Sequence, residues 1–162
     1  MTQIEKDELQ LHKETVVLEP LIDDLIEKFR LKTHKPVEFS KAFHHCNSVY
    51  ADAFCLREIL SNLIDNAIKY SGETVKIDIV CEEESNYTKI KVHDNGLGIS
   101  FKEQNKIFDK FERADAGKRS NAGGLGLNYV QRVMTAHNGK VSLESIENKF
   151  SEFTLFFPVR DN

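Results

Sequence analysis

The chain has 162 residues, which suits one compact domain or a domain with one short additional element. Hydrophobic residues make up 40% and charged residues 30%, an ordinary globular balance that can support a core. The formal net charge of −4 gives no general attraction to nucleic acid or to an anionic membrane. Three cysteines (Cys46, Cys55, Cys81) lack metal-site spacing and are interpreted as buried or free thiols of a reducing cytoplasm.

The N-terminal half is expected to contain two amphipathic helices. Residues 1–14 are polar with a few apolar positions and are interpreted as the end of a helix and a linker. Apolar residues then recur at steps of three and four from Leu18 to Phe29, which predicts a helix. A longer apolar stripe from Leu56 to Ile68 predicts a second helix, with Gly72 as its stop signal. Neither stretch has the roughly 18 continuous apolar residues of a membrane span, so we expect a soluble piece.

The remaining elements are mostly strands. Residues 74–81 and 87–93 alternate apolar with polar residues, which predicts antiparallel strands joined by a solvated acidic turn at 82–86. Weaker signals predict strands at 37–39 and 48–50. A short helix is predicted at 101–111, a longer one at 127–137, and final strands at 140–145 and 152–159. Because helices and strands do not alternate regularly, we predict an α/β (α+β) two-layer sandwich. Its mostly antiparallel sheet of about five strands would have about three helices on one face.

The second helix has a polar line opposite its apolar stripe. Asn62, Asn66, Lys69 and Tyr70 follow one another at helical spacing along this line. A carboxamide oxygen can bind Mg²⁺ without repelling phosphate, and a lysine neutralises phosphate oxygens. A solvated helix face would explain the same residues taken alone.

Two glycine-containing segments also fit a nucleotide. Asp94 ends a predicted strand and precedes Gly96 and Gly98, so the backbone could approach a flat base while the carboxylate accepts from an amine. An ordinary Asn-Gly turn is the alternative. Gly123, Gly124 and Gly126 precede the helix at 127–137, where exposed N–H groups would favour an anion. This second cluster is neither a Walker A sequence nor a dinucleotide fingerprint.

The segment 107–115, IFDKFERAD, lies between the two glycine-containing segments. Phe108 and Phe111 fit one helical face, for which core packing is the simplest interpretation. Arg113 could be a surface charge or a phosphate contact, since its planar guanidinium suits phosphate oxygens.

Four segments in this order resemble the N box, first glycine box, F box and second glycine box of sensor histidine kinases. They read LREILSNLIDNAIKYS, VHDNGLGIS, IFDKFERAD and GGLGLNYVQRVMTAHNGKV. The resemblance covers about residues 15–160 and extends to the ATPase superfamily shared with gyrase, the heat-shock chaperone and MutL. It implies the Bergerat fold, with a catalytic and ATP-binding domain over 15–162 and an ATP lid over about 114–122. The leading segment IEKDELQLHKETVVLEPLI, residues 4–22, is similar to the usual junction after the dimerisation helices, which assigns 1–14 to the end of a dimerisation helix and a linker.

The resemblance implies roles for individual residues. Asn66 is similar to the Mg²⁺ ligand, Asp94 to the adenine-reading carboxylate, and Arg113 to a contact near the γ-phosphate. Asn62 and Lys69 are similar to phosphate-side residues and complete the implied catalytic set with Arg113. The other implied ATP-binding positions are Tyr70, Gly96, Gly98, Ile99, Phe108, Phe111, Gly123, Gly124, Leu125, Gly126 and Leu127.

The chain departs from the family pattern at two positions. The second glycine box usually reads G-x-G-L-G-L, but its first glycine is replaced by Ala122, with Gly123 in the variable slot. Asn62 stands where ATP-hydrolysing members carry a glutamate, and an asparagine is a poor general base. This second departure favours phosphoryl transfer over hydrolysis.

None of the histidines has the acidic–apolar–basic neighbours of the family's phosphoacceptor. They are His12, His34, His44, His45, His93 and His137, of which His137 is interpreted as a cation at a helix end. The resemblance therefore implies that Mg-ATP donates its γ-phosphoryl to a histidine on an absent dimerisation domain, in a parent homodimer that then serves a response regulator. This piece is expected to be cytoplasmic, without nucleic-acid or membrane contacts, although the parent could be membrane-anchored. The alternatives are a stand-alone ATPase of the superfamily and an anti-sigma-like nucleotide-binding regulatory module.

Overall fold

The structure, a computed structural model, describes residues 9–98 and 121–159, with the backbone alone for 121–126. Within these residues the chain forms three helices and seven strands. None of the described helices combines the length and apolar character that crossing a membrane requires.

Two of the helices begin and end as their apolar periodicity predicts. Helix α1 spans Leu18–Lys32 and helix α2 spans Ala53–Lys69. Asp52 is the N-cap of α2, and its Oδ1 accepts a hydrogen bond of 2.9 Å from the Cys55 N–H. This bond satisfies one of the free amide groups at the start of the helix.

The strands form one large sheet and one small ribbon. The five-stranded sheet has the order β2-β4-β5-β7-β6, and β1 pairs with β3 in the ribbon. The large sheet is mixed, because β2 runs parallel to β4 whereas all other neighbours are antiparallel. The strand bounds are β1 Lys13–Val17, β2 Val37–His44, β3 Ser48–Asp52, β4 Val75–Glu84, β5 Tyr87–Asp94, β6 Lys140–Ile146 and β7 Phe150–Pro158.

The core lies between this sheet and the helices, as the α/β sandwich prediction requires. Alternate residues of β4, β5 and β7 are buried, and the residues between them are more exposed. The buried side of each strand faces the apolar stripes of the helices. Helix α3, Asn121–Ala136, packs beside α2 over the same sheet. The fold prediction is therefore confirmed.

Several local predictions are corrected. Lys13–Val17 is a strand because it pairs with β3, which the sequence pattern did not indicate, whereas residues 9–12 have no regular secondary structure, as a linker allows. The acidic run 82–84 continues β4 instead of forming a turn, and only residues 85 and 86 connect β4 to β5. Helix α3 starts at Asn121, not after the glycines, since its later residues are held against the core.

The interpretation of the cysteines as free thiols is wrong for two of them. Cys46 and Cys81 form a disulfide, with Cα atoms 5.8 Å apart, and Cys55 is a free buried thiol. Cys46 follows β2 in sequence and Cys81 lies in β4, so the fold brings together two residues that are 35 positions apart. The bond ties the segment after β2 to the centre of the sheet.

Candidate nucleotide-binding site

The polar residues of α2 differ in their exposure. Asn66 is buried, Asn62 is half-buried, and Lys69 and Tyr70 are exposed at the end of the helix. From Asn66 to Tyr70 the exposure of the side chains therefore increases toward the end of the helix. This gradient suits a ligand whose polar end lies partly inside the protein.

Asn66 has an unsatisfied polar group in the interior. Its exposed fraction is 8%, and Nδ2 has no hydrogen-bond partner among the described residues. Burying an amide group without a hydrogen-bond partner costs free energy unless a ligand or water forms a hydrogen bond with it. The side chain therefore fits a polar ligand, and its carboxamide oxygen is a suitable donor for Mg²⁺.

Lys69 forms an ion pair with Asp65 one helical turn earlier. The Lys69 Nζ lies 3.0 Å from Asp65 Oδ2, and both side chains are partly exposed. Exposed pairs of this spacing contribute only a few tenths of a kcal/mol, about 0.3–0.5. A phosphate could therefore compete for the ammonium group at little cost.

Asp94 ends β5 as a buried carboxylate. Its exposed fraction is 6%, and Oδ1 accepts a hydrogen bond of 2.8 Å from the Gly96 N–H. Burial raises the pKa of Asp94 to about 6, although the Gly96 N–H and the nearby His93 act in the opposite direction. A buried carboxyl with a raised pKa is typical of functional sites.

The loop after Asp94 lies against the end of α2. Leu97 N–H donates to the Tyr70 carbonyl at 3.1 Å, so the two segments share a hydrogen bond. A Cβ atom on Gly96 would lie 2.8 Å from Asp94 Oδ1 and 3.1 Å from Tyr70 O. Only glycine leaves room for this approach, which explains Gly96 by packing within the site.

Glycine is required at position 98 because of a close contact with a distant part of the backbone, which the sequence did not indicate. Its φ is +71°, and a Cβ atom there would collide with the carbonyl of Ile146, the last residue of β6. The Asn148 N–H also donates to Leu97 O at 2.5 Å. The loop is thus held on one side by α2 and on the other by a turn some 50 residues later.

Helix α3 contributes the second glycine segment. Gly123, Gly124, Leu125 and Gly126 lie in its first two turns, so they belong to the helix rather than preceding it. Leu127 is buried in the hydrophobic core with an exposed fraction of 4%. Its side chain packs in the core and anchors α3.

The other predicted site residues lie outside the described residues. These are Ile99, Phe108, Phe111, Arg113 and the lid up to residue 120. Among the described residues, the structure therefore brings together the polar residues of α2 and the Asp94 loop.

His137 does not act as a cation at the end of α3, contrary to the sequence interpretation. Its Nε2 accepts from the Asp52 N–H at 3.1 Å, and its Nδ1 lies 2.8 Å from Val133 O. An acceptor Nε2 and a donor Nδ1 define a neutral imidazole. His137 joins the end of α3 to the start of α2.

Comparison with known proteins places the site in a family. Residues 51–161 match the model for the histidine kinase-, DNA gyrase B- and HSP90-like ATPases, which is more than half of the chain. The chain belongs to this family. The matched segment contains every predicted site residue, including those of α2, the Asp94 loop and α3.

The relatives within the family are sensor kinases. The chain is 30% identical to the sensor histidine kinase WalK of Bacillus subtilis, an alignment that covers 99% of this chain and 27% of WalK. It is 30% identical to the adaptive-response sensory kinase SasA of Crocosphaera subtropica, over 94% of this chain and 41% of SasA. The chain thus spans between a quarter and two fifths of these relatives' lengths.

Solved structures share the fold. The catalytic domain of histidine kinase ThkA superposes with a TM-score of 0.79 at 27% identity, covering 92% of this chain and 97% of that one. Full-length ShkA in complex with AMPPNP gives a TM-score of 0.78 at 25% identity, covering 94% of this chain and 33% of ShkA. The chain matches the isolated ThkA catalytic domain almost end to end. It therefore has the fold of a histidine kinase catalytic domain.

Proposed function

We propose that this chain is the ATP-binding catalytic domain of a sensor histidine kinase. It binds Mg-ATP and presents the γ-phosphoryl group to a histidine on a dimerisation domain. A response regulator receives the phosphoryl group afterwards, and the parent protein is a cytoplasm-facing homodimer. The names of the relatives support the kinase and its partners, and the AMPPNP complex of ShkA supports the nucleotide.

The buried carboxylate of Asp94 is the observation that carries the proposal. It lies at a strand end, beside a loop that has no side chain at Gly96 to block a flat ligand. Asp94 accepts from the loop N–H through one oxygen, which leaves its other oxygen for an exocyclic amine. Adenine carries such an amine and guanine carries a carbonyl at that position, so this arrangement favours ATP over GTP.

The residues of α2 serve the other end of the nucleotide. Asn66 would hold Mg²⁺ through its carboxamide oxygen, and Lys69 would leave Asp65 to neutralise a phosphate. Bound Mg²⁺ neutralises charge on the phosphate oxygens during transfer. Asn62 lies one turn before Asn66 and lacks the basicity to activate water, which favours transfer to a histidine.

Calorimetric titration of the purified chain tests the proposal. We expect Mg-AMPPNP to bind and Mg-GTP to bind at least tenfold more weakly, a difference of about 1.4 kcal/mol or more. Asn66→Ala should abolish the Mg²⁺ dependence of binding. Asn47→Ala serves as a matched control, because Asn47 is exposed and bonds Leu18 through its backbone carbonyl only.

Labelled ATP separates the candidate functions. The chain by itself should neither incorporate phosphate nor turn over ATP, and it should phosphorylate an added dimerisation domain from its own parent. Steady hydrolysis that Asn66→Ala abolishes would indicate a stand-alone ATPase. No nucleotide binding at all would overturn the proposal and favour a regulatory module.

A further inference from the structure

The side chain of Lys35 contacts the end of α2 through three hydrogen bonds. Its Nζ lies 2.7 Å from Ile68 O, 3.1 Å from Ser71 Oγ and 3.4 Å from Ser71 O. Ser71 is buried, and its hydroxyl donates to the same Ile68 carbonyl at 2.8 Å. An ammonium group has three donors, and here each has an acceptor.

These contacts stabilise the end of the helix. The last carbonyls of an α-helix have no partner within the helix and carry the negative end of its dipole. The Ile68 carbonyl belongs to this last turn, and the Tyr70 N–H caps the helix by donating to Asn66 O at 3.0 Å. Lys35 therefore supplies both a hydrogen bond and a positive charge where the helix needs them.

Lys35 binds the segment of residues 70 and 71, and the Asp94 loop packs against this segment. Tyr70 O accepts the Leu97 N–H, and a Cβ atom on Gly96 would lie only 3.3 Å from Ser71 Cα. Gly96 in turn donates its N–H to Asp94. One continuous path of short contacts thus runs from Lys35 through residues 70 and 71 to the buried carboxylate.

We infer that Lys35 is a positioning residue for the nucleotide base. It holds residues 70 and 71 so that the Gly96 loop presents Asp94 in the geometry that binds an adenine ring. This inference rests on the proposed ATP-binding function. Lys35 itself belongs to the turn between α1 and β2, outside the segment that matches the family model.

The test replaces Lys35 with methionine, which keeps the length of the side chain and removes its charge. We expect Lys35→Met to weaken AMPPNP and ADP by the same factor, about 5- to 30-fold, and to leave the Mg²⁺ dependence of binding unchanged. Lys35→Arg should restore affinity to within about threefold, because it keeps a cationic donor. Lys28→Met is the matched control, since Lys28 lies on the exposed face of α1.

Amide hydrogen exchange supplies a second measurement. The Leu97 amide should exchange faster in Lys35→Met, whereas the Asn95 amide, which donates to Lys76 O at 3.3 Å, should not change. If Lys35→Met does not fold, Ser71→Ala replaces it, because that variant removes one acceptor and keeps the Ile68 carbonyl.

The two measurements decide the inference. Affinities within twofold of the unmodified chain, together with unchanged exchange at Leu97, would overturn it. A loss of affinity that appears only in the presence of Mg²⁺ would also overturn it, since the effect would then lie on the phosphate side. If the unmodified chain binds no nucleotide, the proposed function fails, whereas exchange at Leu97 still shows whether Lys35 holds the loop.

Discussion

Asp94, the residue proposed to bind adenine, has a cost in stability. Its carboxylate is buried, and burial raises its pKa from 3.8 to about 6. Since the folded state favours the protonated carboxyl, the stabilising contribution is fully present below about pH 4 and is lost as the pH rises through about 6. Near neutral pH the protein therefore holds an ionised group at the expense of stability, as functional sites often do.

Asp94→Asn should separate the two effects. We expect the free energy of unfolding to rise by roughly 1–3 kcal/mol at about pH 7.5 and to change little at about pH 3.5. Binding of AMPPNP should fall at least tenfold, by about 1.4 kcal/mol or more. Urea unfolding at both pH values and calorimetry at the higher one measure these changes. Glu73→Gln, at an exposed position, is the control and should alter neither quantity.

The same carboxyl predicts a pH dependence of binding. An ionised carboxylate accepts from an amine, whereas a protonated carboxyl has one oxygen occupied by its proton. The affinity of the chain for AMPPNP should therefore decrease as the pH falls below about 6, and this dependence should disappear in Asp94→Asn. Constant affinity between about pH 7.5 and pH 5 in the unmodified chain would contradict a role for the Asp94 charge.

At the scale of elements, the short loop after Asp94, residues 95–98, depends on the turn between β6 and β7. Gly98 has a positive φ and lies against the Ile146 carbonyl, so any side chain there meets backbone. A collision with backbone cannot be relieved by a change of rotamer. The loop therefore keeps its shape only while the β6–β7 turn stays in place.

Gly98→Ala should reduce the free energy of unfolding by roughly 1–3 kcal/mol, because of the positive φ and the lost space. It should also weaken AMPPNP binding, since Asp94 lies in the same loop. Gly72→Ala is a matched control, because a Cβ atom at Gly72 meets nothing within 4 Å. Urea unfolding of both variants measures the difference, and equal stabilities would show that the loop adapts freely.

The start of α2 depends on a long-range cluster. Asp52 caps the helix through Oδ1 and accepts the His12 N–H through Oδ2 at 2.8 Å. Asp52→Ala should lower the free energy of unfolding by roughly 1–2 kcal/mol, and Asp52→Asn by less, because asparagine keeps a capping oxygen. Thermal unfolding of both variants at neutral pH measures the effect. Equal losses for the two substitutions would show that the cap itself contributes nothing.

At the scale of the whole molecule, the disulfide links an edge strand region to the centre of the sheet. Cys46 and Cys81 are both buried, with exposed fractions of 3% and 0%. A covalent link across 35 residues restricts the unfolded chain. The bond should therefore stabilise the domain by roughly 2–4 kcal/mol.

Reduction tests this contribution. Urea unfolding with dithiothreitol should show the loss of stability, and the Cys46→Ser/Cys81→Ser double variant should not respond to dithiothreitol. Thiol titration of the denatured, unreduced chain should find one free thiol, that of Cys55. Three titratable thiols would contradict the disulfide and restore the interpretation from sequence.

The sequence by itself determined the sandwich, the helices α1 and α2, and the candidate site on α2 and the Asp94 loop. These features follow from periodicity and short motifs, in which neighbouring residues along the chain share a face or a turn. Helix α3 was predicted to begin after its glycines, which are poor helix formers at about 1 kcal/mol each. Packing of its later residues against the core outweighs that cost, which is a tertiary effect.

Only the tertiary structure decided which distant residues support the site. Lys35 reaches a carbonyl 33 positions away, Gly98 lies against the β6–β7 turn, and Cys46 pairs with Cys81. A lysine, a glycine and a cysteine carry no local signal of such partners. Their contacts exist because the fold places β2 beside β4 and the end of α2 beside the loop after Asp94. Local chemistry thus indicates which residues could bind a nucleotide, and packing determines how firmly they are held.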